Sequence, residues 1–134
     1  MDTPLYGVGT DLVEVARIER AYKRWGERFV DHLLMDAERE EFERSKRKVR
    51  YLAMRFSAKE ALVKALGTGF RQGMWLRDVG CCQAGSGKPY PIFSDKAEAL
   101  REERGAGQAE ISLTDEAGLI VAFAVMMRRT ETFG

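Results

Sequence analysis

Apolar positions along this chain follow a helical spacing through its first half and an alternating or continuous one through its second. Leu5-Tyr6-Gly7-Val8-Gly9-Thr10 reads as a short strand with glycines on one face, which lets another backbone or a ligand come close, and Asp11 falls where that strand ends. Val15, Ile18 and Tyr22 then recur at helical spacing while Arg17, Arg20 and Arg24 gather on another face. This predicts a helix from about Val13 to Trp25 that stops at Gly26. A second helix is expected after Asp36, whose side chain suits an N-cap, running to about Ser45.

The third helix is predicted over Lys48 to Leu66, closed by Gly67 as a C-cap. Its apolar stripe is Val49, Leu52, Ala53, Phe56 and Val63, and at 3.6 residues per turn Glu60 falls near the middle of that stripe, where a core residue belongs. Beyond Gly67 the pieces are extended: Val79 to Gln83, a turn at Ala84-Gly85-Ser86-Gly87, and Lys88 to Phe93 read as a hairpin. Ser94 caps a helix from Asp95 to Arg104 that closes at Gly105. Ala109 to Thr114 alternates, Asp115-Glu116-Ala117-Gly118 makes a turn, and Leu119 to Met127 is almost continuously apolar. That run suits a strand buried on both faces, one of them covered by another subunit.

Composition narrows the class. At 134 residues, 45% hydrophobic and 32% charged, the chain has enough apolar residues for one core and one domain, 1–134, with no repeat or linker. The run from Leu119 to Met127 falls well short of the roughly 20 apolar residues a membrane-spanning helix needs. The start Met1-Asp2-Thr3-Pro4 lacks a signal pattern, so a cytoplasmic location and no membrane partner are expected. Cys81 and Cys82 are adjacent and would point to opposite faces of a strand, which makes them reduced packing residues. A single histidine, His32, gives no zinc site and is read as a surface or partly buried side chain. The net charge of +1 argues against a general nucleic-acid binder, although Arg44 to Arg55 holds six basic residues and no acidic one. That run is either a solvated helix start or an anion site.

A carboxylate in an apolar helix face needs compensation, because an unpaired buried charge costs several kcal/mol. Two partners are open to Glu60. One is Lys64, one turn later, in an intrahelical ion pair. The other is a divalent metal shared with a second carboxylate, for which Asp11 is the candidate. Two carboxylates with open positions suit Mg2+, which binds hard oxygens, keeps several waters and is completed by substrate phosphates. Arg55, Lys64 and the run Lys46-Arg47-Lys48 are then available for phosphate oxygens. Neither a dinucleotide fingerprint nor a Walker-type Gly-Lys-Ser/Thr is present.

Two blocks are more specific. Gly7-Val8-Gly9-Thr10-Asp11-Leu12-Val13-Glu14-Val15-Ala16-Arg17-Ile18 resembles the opening motif of holo-acyl-carrier-protein synthases, and Arg55-Phe56-Ser57-Ala58-Lys59-Glu60-Ala61-Leu62-Val63-Lys64-Ala65 resembles their central helix motif. Gly67-Thr68-Gly69-Phe70-Arg71-Gln72-Gly73, Gly87-Lys88-Pro89 and Ile111-Ser112-Leu113-Thr114 are similar to further family segments, so the resemblance spans nearly the whole chain.

The resemblance implies transfer of 4'-phosphopantetheine from coenzyme A to a serine of an apo acyl carrier protein, with release of adenosine 3',5'-bisphosphate, in fatty-acid biosynthesis. The carrier, of fatty-acid or polyketide type, is left open. It implies that Asp11 and Glu60 bind Mg2+, that Glu60 and Lys64 are catalytic, and that Arg55, Lys64, Gly67 and the turn Gly87, Lys88, Pro89 contact coenzyme A. Arg17 would meet an acidic helix of the carrier, on a face away from Glu60, with Arg20 and Arg24 extending the stripe. A homotrimer with active sites between subunits is also implied. Many family members have a histidine just before the Ile-Ser-Leu-Thr-like strand; here Glu110 stands there, so phosphate or partner contacts at that corner are expected to differ.

The expected fold is α+β, a short, largely antiparallel sheet packed on one long helix. Two rivals have other chemistry. A magnesium-dependent nucleotide pyrophosphatase would use the same carboxylates with water as acceptor, and the arginine stripe on the first helix argues against it. A non-catalytic binding module would have no use for Glu60 in an apolar stripe.

Overall fold

The computed structural model describes residues 3–130, so Met1 and Asp2, which open the segment expected to lack a signal pattern, lie outside the described residues. Strand β1 (Leu5–Glu14) leads into α1 (Val15–Trp25), α2 (Glu27–Leu33), α3 (Asp36–Arg44) and the long α4 (Lys48–Leu66). A 3-10 turn (Leu76–Asp78) precedes the hairpin β2 (Val79–Gln83) and β3 (Pro89–Phe93), followed by α5 (Asp95–Arg104), β4 (Ala106–Glu116) and β5 (Leu119–Arg128). The main sheet has the order β1-β5-β4 and is antiparallel throughout. This is the expected α+β arrangement, with α4 laid across β1 and β5.

Several local signals read from the sequence hold to the residue. Gly67 takes the left-handed conformation at φ 90° and its N–H bonds back to Val63 and Lys64, which stops α4 where a side chain would be strained. Ser94 accepts a hydrogen bond from Ala97 N and Gly105 closes α5 at φ 74°. The turn expected over Asp115-Glu116-Ala117-Gly118 is tighter than that: Asp115 and Glu116 pair with β5, and Ala117 and Gly118, with positive φ of 55° and 77°, form a two-residue hairpin loop between β4 and β5. Asp36, expected as an N-cap, is instead the first residue of α3; the cap is made by Glu38, which accepts from Met35 N at 2.9 Å.

Two expectations are corrected. The first strand does not end at Thr10 but continues to Glu14, because every residue from Gly7 to Glu14 is paired with β5. Asp11 therefore sits inside a strand, opposite Ala122. Helix α2 was not foreseen; it has only seven residues, two of them buried. Within one chain β5 is buried on one face, which leaves the other for the subunit expected to cover it. Ile120, Ala122, Ala124 and Met126 face the core, whereas Leu119, Val121 and Phe123 are exposed. Val8 and Leu12 of β1 are exposed too, so the sheet presents an uncovered apolar face.

The fit between sheet and helix is set by glycine. A Cβ on Gly7 would lie 2.2 Å from the Ala65 carbonyl oxygen, and one on Gly9 would lie 2.1 Å from that of Ala61. Side chains at alternate strand positions share a face, and residues four apart share a helix face. Gly7 and Gly9 thus run along the row Ala65, Ala61 of α4, and the next steps along both elements bring Asp11 to Ser57. The expectation that these glycines admit a close backbone is met by α4 itself.

Candidate active site

Asp11 follows the two glycines on the face of β1 that meets α4, and its carboxylate is gripped at both oxygens. Ser57 Oγ donates to Oδ2 at 3.0 Å, and Lys64 Nζ lies 3.6 Å from Oδ1 while donating to the Thr10 carbonyl at 2.9 Å. Asp11 retains only 14% side-chain exposure, whereas Lys64 is half exposed. The partner of Lys64 is therefore Asp11, and the alternative of an ion pair with Glu60 along the helix is not what forms.

Glu60 is not the core carboxylate its place in the stripe implied. It is partly buried at the border of α4, whose circumference is mostly covered by small residues and leucines; the fully buried charge is its neighbour Lys59. Burial raises the Glu60 pKa above the ordinary carboxylate range, the negative charge of Asp11 raises it further, and Lys64 and Arg17 oppose both. The two carboxylates expected together are thus close enough to repel. Two carboxylates largely withdrawn from solvent and held against mutual repulsion form a donor set that fits a hard dication. Among the described residues no group of three or more His, Cys, Asp or Glu could hold a metal, so phosphate and water oxygens would have to complete the shell, as Mg2+ prefers.

Arg17, expected on a face away from Glu60, lies with its guanidinium 5.5 Å from the Phe56 ring centre, and its charge acts on Glu60. The reason is that α1 leaves β1 directly at Val15 and packs back on α4. Arg20 and Arg24 are exposed, and Arg24 stacks over Trp25 at 5.0 Å.

The basic run divides. Lys48 caps α3, bonding the Phe42 carbonyl and, at 3.0 Å, that of Glu43. Arg50 pairs with Asp115. Arg44, Arg47 and Arg50 line an open cavity of about 360 Å³ with Tyr51, Arg55, Glu41 and the end of β2 at Gln83 and Ala84. Arg55, expected on coenzyme A, has only 3% side-chain exposure; it bonds Glu41 at 3.1 Å and stacks 4.3 Å from the Tyr51 ring centre. Its surface is mostly committed to the cavity wall. At 100° per residue Arg55 and Lys64 lie about half a turn apart on α4, so one chain does not bring this cavity to the Asp11 cluster. Gly67 ends α4 one turn after Lys64. Gly87, at φ 90°, begins the segment with Lys88 and Pro89 at the hairpin tip. Lys88 Nζ lies 3.4 Å from Glu110, whose carboxyl is held below its ordinary range by Gln108 and then Lys88.

Four residues behind this framework had no separate role in the sequence. Glu38 on α3 is fully buried with Lys59; the ammonium donates to Glu38 at 2.6 Å and to the carbonyls of Leu76 and Val79 at 2.9 and 2.7 Å. Glu38 also accepts from Cys81 N at 3.1 Å, and Glu41, one turn on, accepts from Gln83 N at 2.8 Å. Two ion pairs, Glu38–Lys59 and Glu41–Arg55, thereby join α3 to α4 and satisfy the free edge of β2. Burial works to raise the Glu41 pKa, but Gln83 N–H, the Tyr51 hydroxyl and Arg55 outweigh it and hold the group below its ordinary range. Ser57, the fourth, stands in the sequence only as one position of the central helix motif.

A glycine-fitted strand thus delivers one carboxylate to a second on a long helix beside a lysine, while the arginine-lined cavity opens on another face of that helix. The chain belongs to the 4'-phosphopantetheinyl transferase superfamily, whose profile matches residues 7–124. Within it, the similarity is to holo-[acyl-carrier-protein] synthases. That of Nitrosospira multiformis is 42% identical, over 91% of this chain and 98% of the relative. The crystal structure of the Neisseria meningitidis enzyme has a TM-score of 0.87 at 38% identity, covering 91% of this chain and 98% of that one. The Bacillus anthracis enzyme, in complex with CoA (3',5'-ADP), gives a TM-score of 0.76 at 28% identity, with 92% and 97% covered.

Proposed function

We propose that this chain transfers 4'-phosphopantetheine from coenzyme A to a serine hydroxyl of an apo acyl carrier protein, releasing adenosine 3',5'-bisphosphate. The observation that carries the reading is the Asp11–Glu60 pair, facing across the β1–α4 crossing with Lys64 at its side. The names of the similar enzymes, and the coenzyme A fragment in one of them, support the substrates.

Asp11 and Glu60 would hold Mg2+, which when bound supplies charge neutralisation and alignment at the pyrophosphate. Glu60, or a water that it orients, is the candidate acceptor for the serine proton as the new O–P bond forms and the pyrophosphate P–O bond breaks. Lys64, half exposed, is placed to bind phosphate oxygens as charge shifts to the leaving group. The cavity of Arg44, Arg47 and Arg50 would take the remaining phosphates of coenzyme A, with Arg55 shaping its wall. Gly67 and the Gly87-Lys88-Pro89 tip would complete the coenzyme A contacts. Arg17, Arg20 and Arg24 would steer the acidic carrier, Arg17 at the rim of the site itself.

The arginine cavity and the Asp11 cluster lie on different faces of α4, and the outer face of the sheet is apolar and exposed. Both features favour self-association in which subunits share sites across that face, and the family resemblance makes the assembly a homotrimer. Light scattering should give three chains per particle, and Phe123→Asp should dissociate it. The reading carries a cytoplasmic location with it; among the described residues no helix is long and apolar enough to cross a membrane.

The test is incubation of the full chain with coenzyme A, Mg2+ and an apo carrier protein. The carrier should gain the mass of one phosphopantetheine, with an equal amount of adenosine 3',5'-bisphosphate released. Cleavage of coenzyme A with an unmodified carrier would favour the nucleotide pyrophosphatase instead. Binding with neither product would favour a binding module.

A further inference from the structure

Ser57 is fully buried in the middle of α4, and its hydroxyl has no water to turn to. It lies on the row that continues Ala65 and Ala61, the two residues whose backbone the glycines of β1 approach. The strand residue above it is Asp11, so the hydroxyl meets a carboxylate. It donates to Oδ2 at 3.0 Å, while the second contact, to the Asp11 carbonyl at 3.4 Å, is long.

We propose that Ser57 is a positioning residue that fixes the plane of the Asp11 carboxylate for divalent-cation binding. The inference rests on the reading that Asp11 is a metal ligand. The physical reason lies in the two anchors. Lys64 draws on Oδ1 from 3.6 Å, and Ser57 holds Oδ2. With both in place the carboxylate cannot rotate about its Cβ–Cγ bond without losing one of them. With only the lysine left, Asp11 is free to turn onto Lys64, a cation that competes with the metal for the same oxygens. Groups that hydrogen-bond a ligating carboxylate typically change metal affinity 10- to 100-fold when removed.

Ser57→Ala is a fair probe, since alanine has the higher helix propensity and leaves only the volume of a hydroxyl. The assay is Mn2+ binding to the full chain, without substrate, read from the electron paramagnetic resonance signal of free Mn2+. Wild type, Ser57→Ala and Asp11→Asn are compared, each with its metal-free unfolding temperature. The expected result is a dissociation constant raised about tenfold or more in Ser57→Ala, with an unfolding temperature near that of wild type. Asp11→Asn should lose the site. Wild-type affinity in Ser57→Ala, with the site lost in Asp11→Asn, overturns the role of Ser57 and spares the metal reading. Equal Mn2+ affinity in wild type and Asp11→Asn overturns the metal reading, and the role of Ser57 with it.

Discussion

Replacing Gly9 by alanine tests whether the β1–α4 crossing sets the geometry of the site. The added methyl would lie 2.1 Å from the Ala61 carbonyl oxygen, 2.7 Å from Ala65 N and 2.9 Å from Lys64 Cβ. Ordinary contact begins at 3.4 Å, so strand and helix must part by about 1.3 Å. Two of the three neighbours are backbone and cannot swing aside. Overpacking of this kind costs about 1–3 kcal/mol. The separation would also carry Asp11, two residues on, away from Glu60 and Ser57, and misplacement of a reacting group by about 1 Å can reduce a rate about 100-fold. Gly9→Ala should therefore remain folded by circular dichroism, unfold at lower denaturant, and transfer phosphopantetheine about 100-fold more slowly. Gly85→Ala, where a Cβ meets nothing within 4 Å, should keep wild-type stability. A folded Gly9→Ala with a normal rate would refute the idea that this close approach positions the carboxylates.

Lys59→Met leaves the Glu38 carboxylate buried without its cation and should cost about 3–5 kcal/mol in urea unfolding, whereas a loss under 1 kcal/mol would mean that Glu38 finds another partner. Glu60→Gln should raise the metal-free unfolding temperature at neutral pH. The folded-state pKa of Glu60 lies above its unfolded value, so the ionised form is penalised in the fold at neutral pH, above both values, and that penalty vanishes below the unfolded value. The gain over wild type should accordingly shrink as the pH is lowered through the Glu60 pKa; a gain that persists at low pH contradicts it. Arg24→Glu should raise KM for the carrier about tenfold, leave KM for coenzyme A unchanged and flatten the salt dependence of the rate. Arg17→Glu, next to Glu60, should in addition lower kcat, and equal kcat values for the two variants would remove Arg17 from the rim of the site.

Much of this framework is legible in residue pattern. Helix α4 could be bounded because Gly67 supplies a left-handed cap, α5 because Ser94 and Gly105 bracket it, and the last hairpin because Ala117-Gly118 breaks two apolar strands. Local chemistry decides such features. Those that escaped depend on distant partners. Nothing local marks Lys59 as buried, because its partner Glu38 lies 21 residues away. Glu60 reads as a core residue because periodicity finds only one stripe, whereas α4 is covered round most of its surface by β1, β5, α1 and β2. Asp11 looks like the end of a strand because two glycines weaken the strand signal before it, and only pairing with β5 carries the strand on. Arg17 looks remote from Glu60 because no periodicity reveals how α1 folds back on α4. Spacing alone offered Asp11, Glu60 and Lys64 as candidates but left a simple Glu60–Lys64 ion pair open, and it was the resemblance of the two motifs that implied their roles.

The joint action of Asp11 and Glu60 is tested most directly by phosphopantetheine transfer to an apo carrier protein, followed by mass as a function of Mg2+ concentration for wild type, Asp11→Asn and Glu60→Gln. Wild type should show saturable dependence on the metal and no transfer in excess chelator. Each variant should fold normally and lose transfer by at least about 100-fold, since the amide keeps the shape of the carboxylate without the charge that attracts a dication. Transfer by wild type in excess chelator, or a wild-type rate in either variant, would contradict the account.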